Sequence, residues 1–166
     1  MKVEYIIKNN NEIFFYGTID DDDMRSNLKI IPIKGYHKGY LEQWEFIKDK
    51  ILEEVKKLGK EIIISGHSLG GGIARIAITE LANQFKDINF ILKTYGTPRS
   101  YTLDHKIKLE RNNIIKIEEY INRGDLIPRL PPFFPFFWLY GADRRHRIVK
   151  GKCNFNFQKS HNSYEY

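Results

Sequence analysis

The segment Gly66-His67-Ser68-Leu69-Gly70 joins two runs of different hydrophobic period, and this junction constrains the fold more than any other feature of the chain. Before it, Glu61 to Ser65 carries three consecutive isoleucines, the pattern of a strand buried on both faces of a parallel sheet. After it, from Leu69, the residues Ile73, Ile76, Ala77 and Leu81 recur at helical spacing. A serine turning between strand and helix takes a strained backbone conformation, tolerated when the residues two before and two after it lack a Cβ. Gly66 and Gly70 satisfy that requirement, and Gly71 and Gly72 let the helix start pack closely. The helix N-terminus then points its N–H groups at the spot where an oxyanion would form. G-x-S-x-G also arises by chance in glycine-rich turns; the strand before and the helix after are the context that marks a nucleophile elbow.

The remaining elements agree with an alternating α/β chain. Val3 to Ile7 and Ile13 to Tyr16 read as two strands, and Asn9-Asn10-Asn11 between them tolerates the left-handed conformations of a hairpin turn. Ile30 to Ile33 reads as a short strand ending near Gly35, and Tyr40 to Leu58 is helical through Trp44, Ile47, Ile51 and Val55. The elbow helix runs to about Gln84, with further strands at Phe90 to Tyr95 and Ile114 to Ile121. Such alternation predicts a mostly parallel central sheet flanked by helices, with sites at the carboxyl ends of its strands. At 166 residues the chain is expected to form one domain over 1–166, burying roughly 70% of its unfolded surface.

A net charge of +6 raises nucleic acid or an anionic membrane as a partner. The lysines spread along predicted helix faces, where Glu53 and Glu54 stand three positions before Lys56 and Lys57, as on a solvated surface. No base-reading motif is present, so nucleic acid is not expected. Cys153 is the only cysteine, which excludes an intramolecular disulfide. The charged start Met1-Lys2-Val3-Glu4 lacks the apolar core of a secretory signal, and an intracellular protein, or a fragment whose signal has been removed, is expected. The Ile-, Asn- and Lys-rich composition suits an AT-rich genome such as that of a large DNA virus.

Serine is a poor nucleophile alone; it needs a histidine to take its proton and an acid to hold that histidine in the right tautomer. After a G-x-S-x-G elbow the acid and then the histidine follow in chain order. Only His105, His146 and His161 lie beyond Ser68. His105 precedes the best acid, and His146 lies among arginines that would depress its basicity. His161 sits in the polar segment Lys159-Ser160-His161-Asn162. Asp125 directly follows the strand at Ile114 to Ile121, whereas Asp104 follows an irregular stretch and Asp143 adjoins arginines. In isolation a turn aspartate and a surface histidine explain Asp125 and His161 equally well; the elbow and the chain order favour the triad Ser68, Asp125, His161. One oxyanion donor is then the backbone N–H of Leu69, and Tyr16-Gly17-Thr18 offers the second.

These segments together resemble the class 3 (fungal-type) lipases, an α/β-hydrolase family of triacylglycerol lipases, phospholipase A1 enzymes and feruloyl-type esterases. The resemblance runs from about Phe14 to the C-terminus. Gly66 to Gly71 followed by Ala74 and Ala77 is similar to the family's elbow, and Phe15-Tyr16-Gly17-Thr18 to its oxyanion strand. His37-Lys38-Gly39-Tyr40 resembles its His-x-Gly-Phe helix start, and Tyr95-Gly96-Thr97-Pro98-Arg99 its Gly-x-Pro-Arg turn. Asp125-Leu126-Ile127-Pro128-Arg129-Leu130-Pro131-Pro132 resembles the acid loop, with His161 in the place of the terminal base. The likeness implies Ser68 as nucleophile, Asp125 as orienting acid, His161 as base, Thr18 and Leu69 as oxyanion donors, and neither metal nor cofactor. Tyr16 and Met24 depart from the arginine and tryptophan common there, and the lid position, Ile19 to Leu28, is dominated by charge. Strong interfacial activation is therefore not expected.

Phe133-Phe134-Pro135-Phe136-Phe137-Trp138-Leu139-Tyr140 is too short to span a bilayer and is broken by proline. Phe133, Phe134, Phe136, Phe137 and Trp138 are candidate lipid contacts, and the nearby Arg144, Arg145 and Arg147 would favour an anionic membrane surface. A proline-stiffened loop packed on the core is the alternative. The function expected is cleavage of carboxylic esters of lipids through an acyl-enzyme on Ser68. Rival functions are a catalytically silent lipid-binding or interaction module of the same fold, and a soluble-ester or feruloyl-type esterase.

Overall fold

A computed structural model describes residues 3–17, 32–33, 35–100, 111–130, 147–150 and 164. The strands β1 (Tyr5–Lys8) and β2 (Glu12–Phe15) form an antiparallel hairpin, with Asn9 and Asn10 at φ 50° and 55° in its turn. Asparagine tolerates this left-handed region because its short side chain bonds locally. β2 then pairs in parallel with β5 (Glu61–His67), the isoleucine-rich strand that ends at the elbow. β5 pairs with β6 (Asn89–Tyr95), β6 with β7 (Ile114–Asn122), and β7 with β8 (Arg147–Lys150), all parallel. The order β1-β2-β5-β6-β7-β8 puts β5 in the interior, which is why Ile62 and Ile64 are fully buried.

Two details differ from the sequence expectation. Pro32–Ile33 (β3) pairs with Tyr36–His37 (β4) in a two-residue ladder around Gly35, outside the main sheet. Gly35, at φ 79°, supplies the tight reversal. Arg147 was expected only as one of the basic residues following the aromatic run, yet Arg147–Lys150 forms β8, last in the strand order and beside Glu119 to Asn122. Four residues with two charges carry too little periodicity to signal a strand.

Helix α1 (Lys38–Lys57) buries Tyr40, Leu41, Trp44, Ile47, Ile51 and Val55, a stripe at helical spacing. It packs against α2 (Leu69–Gln84), the elbow helix, which lies on the sheet over β5 and β6 and is buried along nearly its whole length. The outer face of α1 carries the expected pairs Lys56–Glu53 at 2.6 Å and Lys57–Glu54 at 3.0 Å. Solvent and salt screen such exposed pairs, so they add little to stability.

A buried ion pair was not legible in the sequence. Arg75 Nη2 on α2 meets Glu119 Oε1 on β7 at 2.5 Å, while Arg75 Nη1 donates to the Pro98 carbonyl at 2.8 Å and to Ser100 Oγ at 3.3 Å. One guanidinium thus ties the elbow helix both to the strand leading to Asp125 and to the turn after β6. Its planar fork suits such multiple contacts, and removing either partner of a buried pair leaves an uncompensated charge.

His37 is fully buried at the start of α1, stacked on the Tyr40 ring at 4.3 Å, with its backbone N–H donating to the Ser100 carbonyl. Burial pushes its imidazole down to about 4. The unfolded chain, with a pKa near 6.5, then binds the extra proton between about pH 6.5 and 4, so stability falls as pH drops through that window. Urea unfolding at pH 7 and pH 5 is expected to differ by about 2 kcal/mol from this group, and His37→Phe should flatten that dependence. Equal pH slopes for the two proteins would refute it.

Candidate active site

Ser68 has φ 52° and ψ −123°, far from both strand and helix geometry, at the turn between β5 and α2. Its backbone is held on both sides: its N–H donates to the Tyr95 carbonyl at 2.9 Å, and its carbonyl accepts from Gly71 and Gly72 at 3.1 and 3.3 Å. The strain is therefore enforced by the sheet and the first helical turn together. Ser68 Oγ does not cap α2, so the hydroxyl is not spent on the helix.

Close approach of backbones explains the glycines better than the turn angle alone. A Cβ on Gly70 would collide with the Phe15 carbonyl and lie 2.7 Å from the Tyr16 carbonyl oxygen, and one on Gly66 would lie 2.5 Å from the Gly70 carbonyl group. Gly17 brings the end of the β2 segment against Ser68, where a Cβ would be 2.7 Å from the His67 carbonyl oxygen and 2.9 Å from Ser68 Cβ. Because these neighbours are backbone atoms, or a Cβ whose position the backbone fixes, they cannot rotate aside. Gly70→Ala should cost about 3 kcal/mol or more, by the same logic as overpacking with no room to relax. Chemical denaturation reads this, and a wild-type midpoint would contradict it.

Asp125 is 2% exposed at the other end of the site. The turn after β7 passes through Gly124 at φ 89°, and the Asp125 N–H donates to the Asn122 carbonyl at 3.1 Å. One carboxylate oxygen, Oδ1, accepts the Ile127 N–H at 2.9 Å, and the other, Oδ2, accepts the Tyr164 hydroxyl at 2.7 Å. His67, Tyr95 and Tyr120 lie in register across β5, β6 and β7. Ser68 and Asp125 therefore leave the same carboxyl edge, from strands about 10 Å apart at ordinary strand spacing. An imidazole hydrogen-bonded at both ends spans such a gap.

Leu69, the expected first oxyanion donor, is the buried first residue of α2. Thr18, His161, Phe133, Phe134, Phe136, Phe137 and Trp138 lie outside the described residues. Gly17, immediately before Thr18, is the described part of the segment expected to supply the second oxyanion donor. Two apolar side chains flank the site: Tyr16 is 44% exposed and Leu126 38% exposed. Tyr164 was not singled out by its sequence context, because nothing local in Asn162-Ser163-Tyr164 points to a carboxylate partner. Among the described residues no group of acidic, histidine or cysteine side chains could hold a metal ion, and no helix is long and apolar enough to cross a membrane.

A mostly parallel sheet with a strained serine after an interior strand, and a buried acid after the strand two places along, defines an α/β-hydrolase fold. Residues 13–134 match the family model Lipase (class 3), and the chain belongs to that family. It is 30% identical over 120 residues to secreted mono- and diacylglycerol lipase 1 of Fusarium solani, covering 65% of this chain and 35% of that protein. It is 29% identical over 120 residues to the chloroplastic phospholipase A1-Igamma2 of Arabidopsis thaliana, covering 62% of this chain and 22% of that one. The chain spans about a third of the length of the curated fungal relatives it matches. The Rhizomucor miehei triacylglyceride lipase structure shares the fold at TM-score 0.64 and 20% identity, over 78% of this chain and 56% of that chain. The mono- and diacylglycerol lipase of Aspergillus oryzae does so at 0.62 and 22%, over 80% and 52%.

Proposed function

We propose that this chain hydrolyses carboxylic esters of lipids, acylglycerols or phospholipids, through an acyl-enzyme on Ser68. The observation that carries this reading is the strained Ser68 backbone, with φ 52°, at a strand-to-helix turn that also receives Gly17. Ser68 Oγ attacks the ester carbonyl carbon while His161 takes its proton; the tetrahedral oxyanion is met by the N–H groups of Leu69 and Thr18. The C–O bond to the alcohol then breaks, and His161 returns the proton to the leaving alkoxide. Water, deprotonated by the same histidine, releases the fatty acid and restores Ser68. Asp125 orients the imidazole and offsets its positive charge.

The lipid choice is supported by the names of the relatives, mono- and diacylglycerol lipases and a phospholipase A1, and by the exposed apolar Tyr16 and Leu126 beside the site. The choice of His161 is supported by Tyr164, three positions later, which bonds Asp125. Three extended residues reach at most about 11 Å. An anionic membrane surface is the proposed docking partner, through Phe133 to Tyr140 and the arginines that follow, a reading that rests on sequence alone.

A fluorophosphonate probe followed by peptide mapping tests the mechanism: Ser68 is expected to be labelled. Lipid binding without labelling would establish the silent module instead. Hydrolysis of short p-nitrophenyl esters, monoacylglycerol and phospholipid vesicles in parallel separates lipid hydrolase from soluble-ester esterase.

A further inference from the structure

We propose that Tyr164 is a positioning residue for ester hydrolysis, acting through Asp125, an assignment that rests on the catalytic reading above. Its hydroxyl is committed in both directions: it donates to Asp125 Oδ2 at 2.7 Å and accepts the Asn122 N–H at 2.8 Å. That second bond fastens the hydroxyl to the last residue of β7, so the sheet itself sets the donor's position. With the Ile127 N–H on Oδ1 at 2.9 Å, each carboxylate oxygen has one fixed donor, and rotation about the Cβ–Cγ bond is blocked. A carboxylate presents about four lone-pair directions. Fixing two of them aims those that an imidazole N–H would use.

The ring is held as firmly as the hydroxyl. Tyr164 is 9% exposed and joins Phe14 and Tyr95 in a small aromatic cluster against which Tyr120 packs. Its ring lies edge-on to Tyr95 at 6.2 Å and tilted against His67, the residue before the nucleophile, at 5.6 Å. Tyr95 in turn stacks on Tyr120 at 5.0 Å and supplies the carbonyl that holds the Ser68 N–H. One side chain thus contacts the nucleophile strand and the acid together, which a residue serving only the core would have no need to do. A plain packing role predicts that the hydroxyl is dispensable; the positioning role predicts that it is not.

The test uses Tyr164→Phe in the full chain, which keeps the ring and removes the hydroxyl. On a soluble p-nitrophenyl ester, kcat is expected to fall about tenfold with KM unchanged, the loss of one charge-assisted hydrogen bond. The acidic limb of the kcat/KM profile should move to higher pH, since a carboxylate relieved of one donor holds the imidazolium more strongly. Placed on Asp125→Asn, the same change should cost almost nothing more, because its effect passes through the carboxylate. Unaltered kcat and pH profile in folded Tyr164→Phe, or an additive loss in the double variant, overturns the assignment. Tyr164→Leu, which removes ring and hydroxyl, reads the packing share through its unfolding midpoint. If Tyr164→Phe fails to fold while Tyr164→Leu folds and keeps wild-type kcat, the assignment is likewise overturned. Fluorophosphonate labelling of the wild type separates the two readings: labelled Ser68 with an indifferent Tyr164→Phe sinks only the role of Tyr164, and an unlabelled Ser68 sinks both.

Discussion

Ser68→Ala is expected to abolish ester hydrolysis while the chain stays folded. The loss should be on the order of 10⁶ in kcat, the scale seen when a triad nucleophile is removed. The fold survives because what holds the elbow is backbone: the bond to the Tyr95 carbonyl and those from Gly71 and Gly72 do not involve Oγ. Serine and alanine meet the same steric penalty at φ 52°, so the strain is carried over rather than relieved. The assay is p-nitrophenyl ester turnover beside a circular dichroism spectrum and an unfolding curve. Turnover above background in folded Ser68→Ala would refute the acyl-enzyme.

Asp125→Asn should lower kcat on the order of 10⁴-fold, the scale of an inverted tautomer in a serine triad, and change KM little. The amide has one acceptor oxygen, whereas Asp125 accepts from both the Ile127 N–H and the Tyr164 hydroxyl. Whichever way the side chain turns, one of these donors faces an NH₂ group in a site that is 2% exposed. An unmet buried donor costs about 1–3 kcal/mol, so the unfolding midpoint should fall as well. Steady-state kinetics and urea unfolding on the same preparation check both effects. A kcat within tenfold of wild type would remove Asp125 from the triad.

The elbow was readable because its rules are local. A run of isoleucines, a serine between glycines and a helical repeat occupy consecutive positions, and the structure turns them into β5, a φ of 52° and α2. The hairpin asparagines and the Lys56–Glu53 and Lys57–Glu54 pairs were legible for the same reason, since their partners are near in sequence. The pairing of β8 with β7, the Arg75–Glu119 ion pair and the Tyr164 hydroxyl on Asp125 join residues far apart in the chain. No periodicity encodes such a meeting.

The sequence by itself determined the class of fold, the family, and the position of the strand-to-helix elbow at Ser68, because a turn that needs small neighbours on both sides writes its requirement into adjacent residues. Only the tertiary structure decided what surrounds that serine. It alone showed that Gly70 is small to admit the Phe15 carbonyl, that His37 is buried against the Tyr40 ring, and that the Tyr164 hydroxyl bonds Asp125. These follow from which strands lie side by side, a choice made by burial of the whole core rather than by any segment of it.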